Sequence, residues 1–365
     1  MGNTLFSAYR LGAMELPNRM AMAPMTRNRA DENGVPRQMT ATHYAQRSTA
    51  GLLITEATQI SETANGYMFT PGMYTEEQVT GWRAVTDAVH AKGGRIFNQI
   101  WHTGRVSHPL LQPNGGDPIA PSAIPAETMV FTPNGFEPPS TPRELAIDEI
   151  PGLVDQFAHS AGMAKQAGFD GVEVHGANGY LIEQFLKDGA NQRDDAYGGG
   201  VSARMRFAME VLTAVVDIWG PGRVGFRISP RGNFNGMHDS DPQALYTQLV
   251  AALNDLPLAY LHVIEPLPGH PTFTSQEGVD PLAGELRQRY NGTFMINGGY
   301  GKASAEQAIA ENAADLVAFG VPFLANPDLV ERYRRNAPLN SPDEETFYGG
   351  DEKGYNDYPF LDQKR

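Results

Sequence analysis

The segment Val174-His175-Gly176-Ala177-Asn178-Gly179-Tyr180 gathers three side chains able to handle an oxygen or a proton. A neutral imidazole and a carboxamide are both hydrogen-bond donors. Spaced three apart, His175 and Asn178 fit one tight turn and can together hold an oxygen that gains negative charge. Preorganised donors of that kind stabilise a developing oxyanion by roughly 3–4 kcal/mol each. Tyr180 follows two positions on. A phenol has an ordinary pKa of about 10, so it stays protonated at neutral pH and can act as a general acid. Taken singly, each has a plainer explanation: a strand-end histidine on a carbonyl, an Asn-Gly turn, a core tyrosine. Their order and their place in the fold give them weight, so the elements that position them come next.

Short apolar runs alternate with longer amphipathic stretches along the chain. The runs are Arg19–Ala23, Leu52–Glu56, Arg95–Gln99, Gly171–Val174, Val224–Ile228, Tyr260–Val263, Thr293–Asn297 and Leu316–Ala318. They have the length and apolar content of strands buried on both faces. Helical stretches lie between them, among them Glu76–Lys92, Asp148–Gln166, Ser202–Ile218, Pro242–Asn254, Ala303–Asn312 and Pro327–Arg335. Ser202 and Ser304 stand where N-caps belong, and Pro242 and Pro327 suit a first turn. Eight strands in this rhythm predict an α/β protein, a closed parallel (β/α)8 TIM barrel. The expected extent is one domain over residues 1–365. A doubly wound sheet is the alternative, but no Gly-x-Gly-x-x-Gly turn follows the first strand. Phe6–Leu16 predicts an N-terminal hairpin that plugs the barrel floor. Trp101–Ala146, rich in Pro and Gly, is a long insertion after the third strand, expected as a lid or wall on the catalytic face.

Composition removes several functions. The chain has no cysteine, which excludes disulfides, thiolate metal sites and cysteine nucleophiles. The net charge is −14 and no basic block occurs, so neither nucleic acid nor an anionic membrane is an expected partner. The first residues lack the pattern of a signal peptide and no apolar run is long enough for a membrane span. A cytoplasmic protein, monomeric or a weak homo-oligomer, is expected.

In a barrel, polar residues at strand C-termini are the catalytic candidates. Here these ends read Pro24-Met25-Thr26, Glu56-Ala57-Thr58, Asn98-Gln99-Ile100-Trp101-His102, His175, Arg227, Glu265, Asn297-Gly298-Gly299 and Phe319-Gly320. The carboxylates are too scattered for a hard-cation cage and no histidine pair has ligand spacing, so no metal is expected. There is no Gly-x-Ser-x-Gly elbow and no strand-end lysine for a Schiff base. Protein groups alone lack a nucleophile, which leaves room for an organic cofactor. The glycine-rich loops after the seventh and eighth strands are where barrels bind phosphate.

These residues resemble the old yellow enzyme family, over nearly the whole chain. The likeness runs through Leu16-Pro17-Asn18-Arg19, Ala23-Pro24-Met25-Thr26-Arg27, Asn98 to Arg105, Gly171 to Leu181, Phe185-Leu186-Lys187-Asp188, Asn191 to Asp195, Tyr197-Gly198-Gly199, Ala325-Asn326-Pro327-Asp328-Leu329 and Asp357-Tyr358-Pro359. The tail Phe347-Tyr348-Gly349-Gly350 is similar to the bacterial branch that reduces nitrate esters, maleimides and enones. The resemblance implies an FMN-dependent ene-reductase, with FMN tightly but non-covalently bound and NADPH or NADH as hydride donor. Its implied substrates are small activated alkenes.

The resemblance also implies roles. Ala23, Pro24, Met25 and Thr26 would border the flavin, with Thr26 on its O4. Ala57 and Gln99 would meet its polar edge, and Arg227 would stabilise negative charge on the reduced ring. Gly298, Gly299, Gly320 and Val321 would surround the phosphate. His175 and Asn178 would hold the substrate oxygen, Tyr180 would protonate the substrate carbon, and Thr26, Tyr67, Trp101 and Tyr348 would complete the substrate pocket. Phe273, in the loop after the sixth strand, is a further candidate wall, while Arg105 and Arg193 read as structural. One position departs from the pattern: Gly-Arg-Pro-Phe is expected after the eighth strand, and Gly320-Val321-Pro322-Phe323 is found. That predicts weaker FMN retention, with the phosphate on backbone N–H groups and Lys302. Two rival functions stay open on the residues alone: a flavin-free barrel lyase or isomerase using His175 as base, and a non-catalytic FMN-binding or redox-sensing protein.

Overall fold

A computed structural model describes residues 4–265 and 281–362. Phe273 and the rest of its loop after Pro266 lie outside the described residues. The eight expected strands are present: β1 (Met20–Met22), β2 (Leu52–Ile54), β3 (Ile96–Trp101), β4 (Gly171–Gly176), β5 (Val224–Ile228), β6 (Tyr260–Ile264), β7 (Phe294–Asn297) and β8 (Leu316–Phe319). Each pairs in parallel with the next, β8 pairs with β1, and β3 pairs with β4, so the sheet closes. The helices are α1 (Gln38–Gln46), α2 (Glu76–His90), α3 (Ile150–Gln166), α4 (Leu181–Leu186), α5 (Val201–Trp219), α6 (Pro242–Leu253), α7 (Ala283–Arg289), α8 (Lys302–Ala310), α9 (Val321–Ala325) and α10 (Leu329–Arg335).

Two cores follow from the two faces of each strand. Outward residues such as Val172, Val174, Phe226 and Val263 pack against the helices in one large cluster. Inward residues such as Ala21, Leu52, Phe97, Tyr260, Met295 and Leu316 form a second. The N-terminal hairpin, Tyr9–Leu11 against Met14–Leu16, gives Leu11, Met14 and Leu16 to this inner cluster, so it closes the barrel floor. Space for the inner rings comes from glycine. A Cβ on Gly171 would lie 2.4 Å from the Phe97 ring, and one on Gly225 would lie 2.3 Å from the Tyr260 ring. Those two rings stack at 5.8 Å across the barrel interior.

The stretch after β3 is more ordered than its composition suggested. Ile119–Ala120 pairs with Arg143–Glu144, and Val130–Thr132 forms a hairpin with Gly135–Glu137. Val106, Ala126 and Val130 pack on Trp101 and Tyr180, which makes the insertion a wall of the catalytic face. Arg105 and Arg193 serve as ties within it. Arg193 donates to the carbonyls of Pro121 and Leu145 and pairs with Asp195, and Arg105 donates to carbonyls at Ile124, Asn235 and Gly236.

Several local expectations are corrected. Ser202 lies inside α5, whose N-cap is Gly200, because the preceding glycines already supply the turn. Ser304 is the third residue of α8, and its hydroxyl accepts from the N–H of Gly301, which holds the cap position. Pro242 does open α6, behind the cap Asp241, whereas Pro327 precedes the cap of α10. The short helix α4 was not read from the sequence because it is buried all round and carries no polar stripe.

Candidate functional site

Strand β4 aims Gly171, Glu173 and His175 inward in turn, since alternate residues share a face. Past its end the chain makes a forced turn. Asn178 has φ 58° and Gly179 φ 80°, in the left-handed region that asparagine and glycine tolerate best. A Cβ on Gly179 would stand 2.7 Å from the carbonyl oxygen of Phe234. The turn is held from behind. The Gly179 N–H donates to Glu183 Oε2 at 2.5 Å, and the Asn178 N–H donates to Ser229 Oγ at 2.9 Å. Ser229 in turn donates to Glu183 Oε1, and Asn235 donates to the Asn178 carbonyl. Lys187 lies 3.0 Å from Glu183, both of them buried, so the carboxylate is not left as an uncompensated charge.

His175, Asn178 and Tyr180 all line one large cavity of about 1610 Å³ at the C-terminal end of the barrel. Tyr180, 7 % exposed, rests edge-on against Trp101 with ring centroids 4.6 Å apart. Its hydroxyl lies 3.1 Å from that of Tyr67. Burial pushes the Tyr180 phenol well above its ordinary pKa, and the neighbouring Tyr67 hydroxyl raises it further. Tyr67 is itself raised to about 12 by burial. Burial, with Arg227 nearby, holds His175 well below the ordinary histidine value, so it is a neutral imidazole at pH 7. An acid that stays protonated therefore adjoins neutral donors.

Of the residues singled out from the sequence, Ala23, Pro24, Met25, Thr26, Ala57, Tyr67, Gln99, Trp101, Arg227, Gly299, Gly320, Val321 and Tyr348 line the same cavity. Gly298 does not, though its φ of 145° is one that favours glycine. Arg227 donates to Asn297 Oδ1 at 2.9 Å, and its Nε is buried without a partner. Tyr348 stands 69 % exposed at the mouth. Val321 opens α9 and is 42 % exposed. Lys302 is corrected: its ammonium donates to Asn336 at 2.5 Å and lies 3.7 Å from Glu306, and it does not line the cavity. The other strand-end carboxylates are structural. Glu56 accepts from the Arg27 N–H, and Glu265 accepts from the N–H groups of Leu282 and Ala283 at the start of α7.

Sequence reasoning missed two sets of residues. The mouth is ringed by Phe69, Met129, Phe131, Phe136 and Phe234, which come from three separate stretches of chain and carry no common motif. Below the cavity, Glu173 binds Gln99 and His262. A carboxylate inside an otherwise apolar strand was the available signal for that cluster.

The family profile for NADH:flavin oxidoreductase / NADH oxidase matches residues 4–340. Morphinone reductase, solved in complex with tetrahydroNAD, is 48% identical with a TM-score of 0.93, covering 99% of this chain and 98% of its own. The old yellow enzyme homologue from Zymomonas mobilis is 40% identical with a TM-score of 0.95, over 98% of this chain and 100% of its own. Among curated proteins, 12-oxophytodienoate reductase 1 of Oryza sativa subsp. japonica is 47% identical over 98% of this chain and 93% of its own. The closed barrel, the cavity at its C-terminal end and these similarities together mean that the chain belongs to the NADH:flavin oxidoreductase / NADH oxidase family, an FMN oxidoreductase of the old yellow enzyme type.

Proposed function

We propose that the protein uses NADPH or NADH to reduce the activated C=C bond of α,β-unsaturated carbonyl and nitro compounds, with nitrate esters as further substrates, and that one barrel domain over residues 1–365 carries the whole site. The cavity suits FMN on its own chemistry. Arg227 brings a cation with a free buried Nε to the floor, and Gln99 adds an amide beside it. Gly299 and Gly320 also line the cavity and let the main chain approach closely, as a phosphate requires. FMN, when bound, supplies the hydride-transfer chemistry that none of these side chains possesses.

The remaining work falls to the chain. His175 and Asn178 donate to the carbonyl or nitro oxygen and stabilise the negative charge that grows there as the β-carbon gains hydride. His175 can do this because its imidazole is neutral and Trp101, stacked at 6.1 Å, fixes its ring. Tyr180 gives its phenolic proton to the α-carbon, and Tyr67 holds that hydroxyl from its other side. Thr26, Ala57 and Gln99 border the floor, Arg227 keeps positive charge there even when buried, and Trp101 and Tyr348 bound the substrate space.

The observation that carries the reading is a phenol held protonated beside two neutral donors, in the same cavity as Arg227 and the glycine loops. Anaerobic incubation of the holoenzyme with NADPH and 2-cyclohexenone tests it. Cyclohexanone should form in step with NADPH loss. Absence of flavin absorbance after FMN is added, or NADPH loss without the saturated ketone, would sink it.

A further inference from the structure

We propose that Glu173, one layer beneath the cavity, is a positioning residue that sets the charge balance of the FMN site: its carboxylate offsets Arg227 and fixes the Gln99 amide. The inward face of β4 reads Gly171, Glu173, His175, so Glu173 sits between the ring layer of Phe97 and Tyr260 and the residues that face the cavity. Its side chain is fully buried, and so is that of His262. One carboxylate oxygen accepts from Gln99 Nε2 at 2.7 Å and the other from His262 Nδ1 at 2.8 Å. Strand register sets Gln99 opposite Glu173, and Arg227 opposite both His175 and His262.

Neither Glu173 nor His262 is among the residues that line the cavity. A charge in the dry centre of a barrel is costly unless something nearby compensates it. Burial would raise the Glu173 carboxyl, but the hydrogen bonds from His262 and Gln99 and the charge of Arg227 hold it below the ordinary range. Burial also keeps His262 below its ordinary value, so the Glu173–His262 pair carries one net negative charge at neutral pH. Arg227 carries the matching positive charge. An unopposed Arg227 would favour whatever gains negative charge above it. Glu173 mutes that preference, and so lowers the tendency of bound FMN to stay reduced. The inference rests on FMN lying over Arg227 and is independent of the identity of the alkene.

Glu173→Gln tests it. The amide keeps a partner for Gln99, and the other His262 tautomer can accept from it, so the shape and both hydrogen bonds survive while the charge is lost. With the charge gone, reduced FMN should be favoured over oxidised FMN by roughly tenfold, a rise in midpoint potential of about 30 mV for a two-electron couple. The measurement is the potential of the FMN-loaded protein, without alkene or NADPH. Glu173→Asp, which keeps the charge, should stay at the wild-type potential. An unchanged potential in folded, FMN-loaded Glu173→Gln overturns the proposal, as does an equal shift in Glu173→Asp. If the glutamine variant does not fold, Glu173→Met combined with His262→Leu replaces the pair by apolar groups, a swap that buried pairs often tolerate. The same rise is expected there, and its absence is equally fatal. Loss of alkene turnover in all variants and in wild type leaves this result untouched.

Discussion

Replacing Tyr180 by phenylalanine removes one oxygen and little else. The ring remains, with its edge on Trp101 at 4.6 Å and its place in the apolar cluster of Ala57, Val106, Ala126 and Val130. The lost contact is the 3.1 Å hydrogen bond to Tyr67, which leaves that hydroxyl buried and without this partner. Such a loss costs about 1–3 kcal/mol of stability, to be read separately by thermal unfolding. The kinetic loss is of another kind. A positioned general acid contributes roughly 10²–10⁴ in rate, and only the half-reaction that consumes the alkene needs the proton. Anaerobic stopped flow separates the two halves. NADPH consumption should change by no more than a factor of about three, while alkene consumption falls by roughly 10²–10⁴, because the interaction removed is made only in the second transition state. In wild type the alkene half-reaction should keep its rate up to pH 10, since burial holds the Tyr180 phenol protonated beyond that point. Equal loss in both half-reactions, or a phenylalanine variant that reduces the alkene at the wild-type rate, would refute the role assigned to this hydroxyl.

Two further outcomes are expected. Val321 opens α9 on the cavity wall and is 42 % exposed, so Val321→Arg should tighten FMN by roughly 10- to 100-fold, the worth of one charge-assisted hydrogen bond; equilibrium dialysis of wild type and variant reads it, and no tightening removes the argument from the missing arginine. Acid should destabilise the fold early. His43, His102 and His175 are buried with lowered pKa values, His102 to about 3, so each contributes stability above the unfolded histidine value of about 6.5 that is lost as pH falls. Glu56, raised to about 7, acts with the opposite sign and gains stability as pH falls through that value. From pH 6.5 to 5.5 these histidines lose stability, His262 acting in the same sense, and Glu56 regains part of it, so a net loss is expected; denaturant unfolding at the two pH values that shows no loss would contradict these buried neutral states.

Much of the molecule was legible in its sequence. The eight apolar runs determined eight strands because parallel strands are buried on both faces and leave continuous hydrophobic signatures. The strand-end rule then grouped His175, Gln99 and Arg227, with Asn178 and Tyr180 just beyond the fourth strand, since a barrel puts all its strand C-termini on one face. Strand ends alone misled at Glu56 and Glu265, because whether a carboxylate faces the cavity or a loop's N–H groups depends on the backbone around it. The fate of Lys302 was likewise a matter of distance to Asn336, thirty-four positions away in the chain.

The sequence determined which chemical groups were available and the order in which the strands deliver them. Only the tertiary structure decided which of them share a dielectric environment. His175 is neutral and Tyr180 protonated because folding buries both, Tyr180 against Trp101, Tyr67 and the insertion wall. The Asn178 turn stands because Glu183 and Ser229 reach it from a helix and a separate strand end. Glu173 lies under Arg227 because the barrel closes with β4 beside β3 and β5. Desolvation and charge pairing act through space, and closing the sheet brings together groups that the chain keeps far apart.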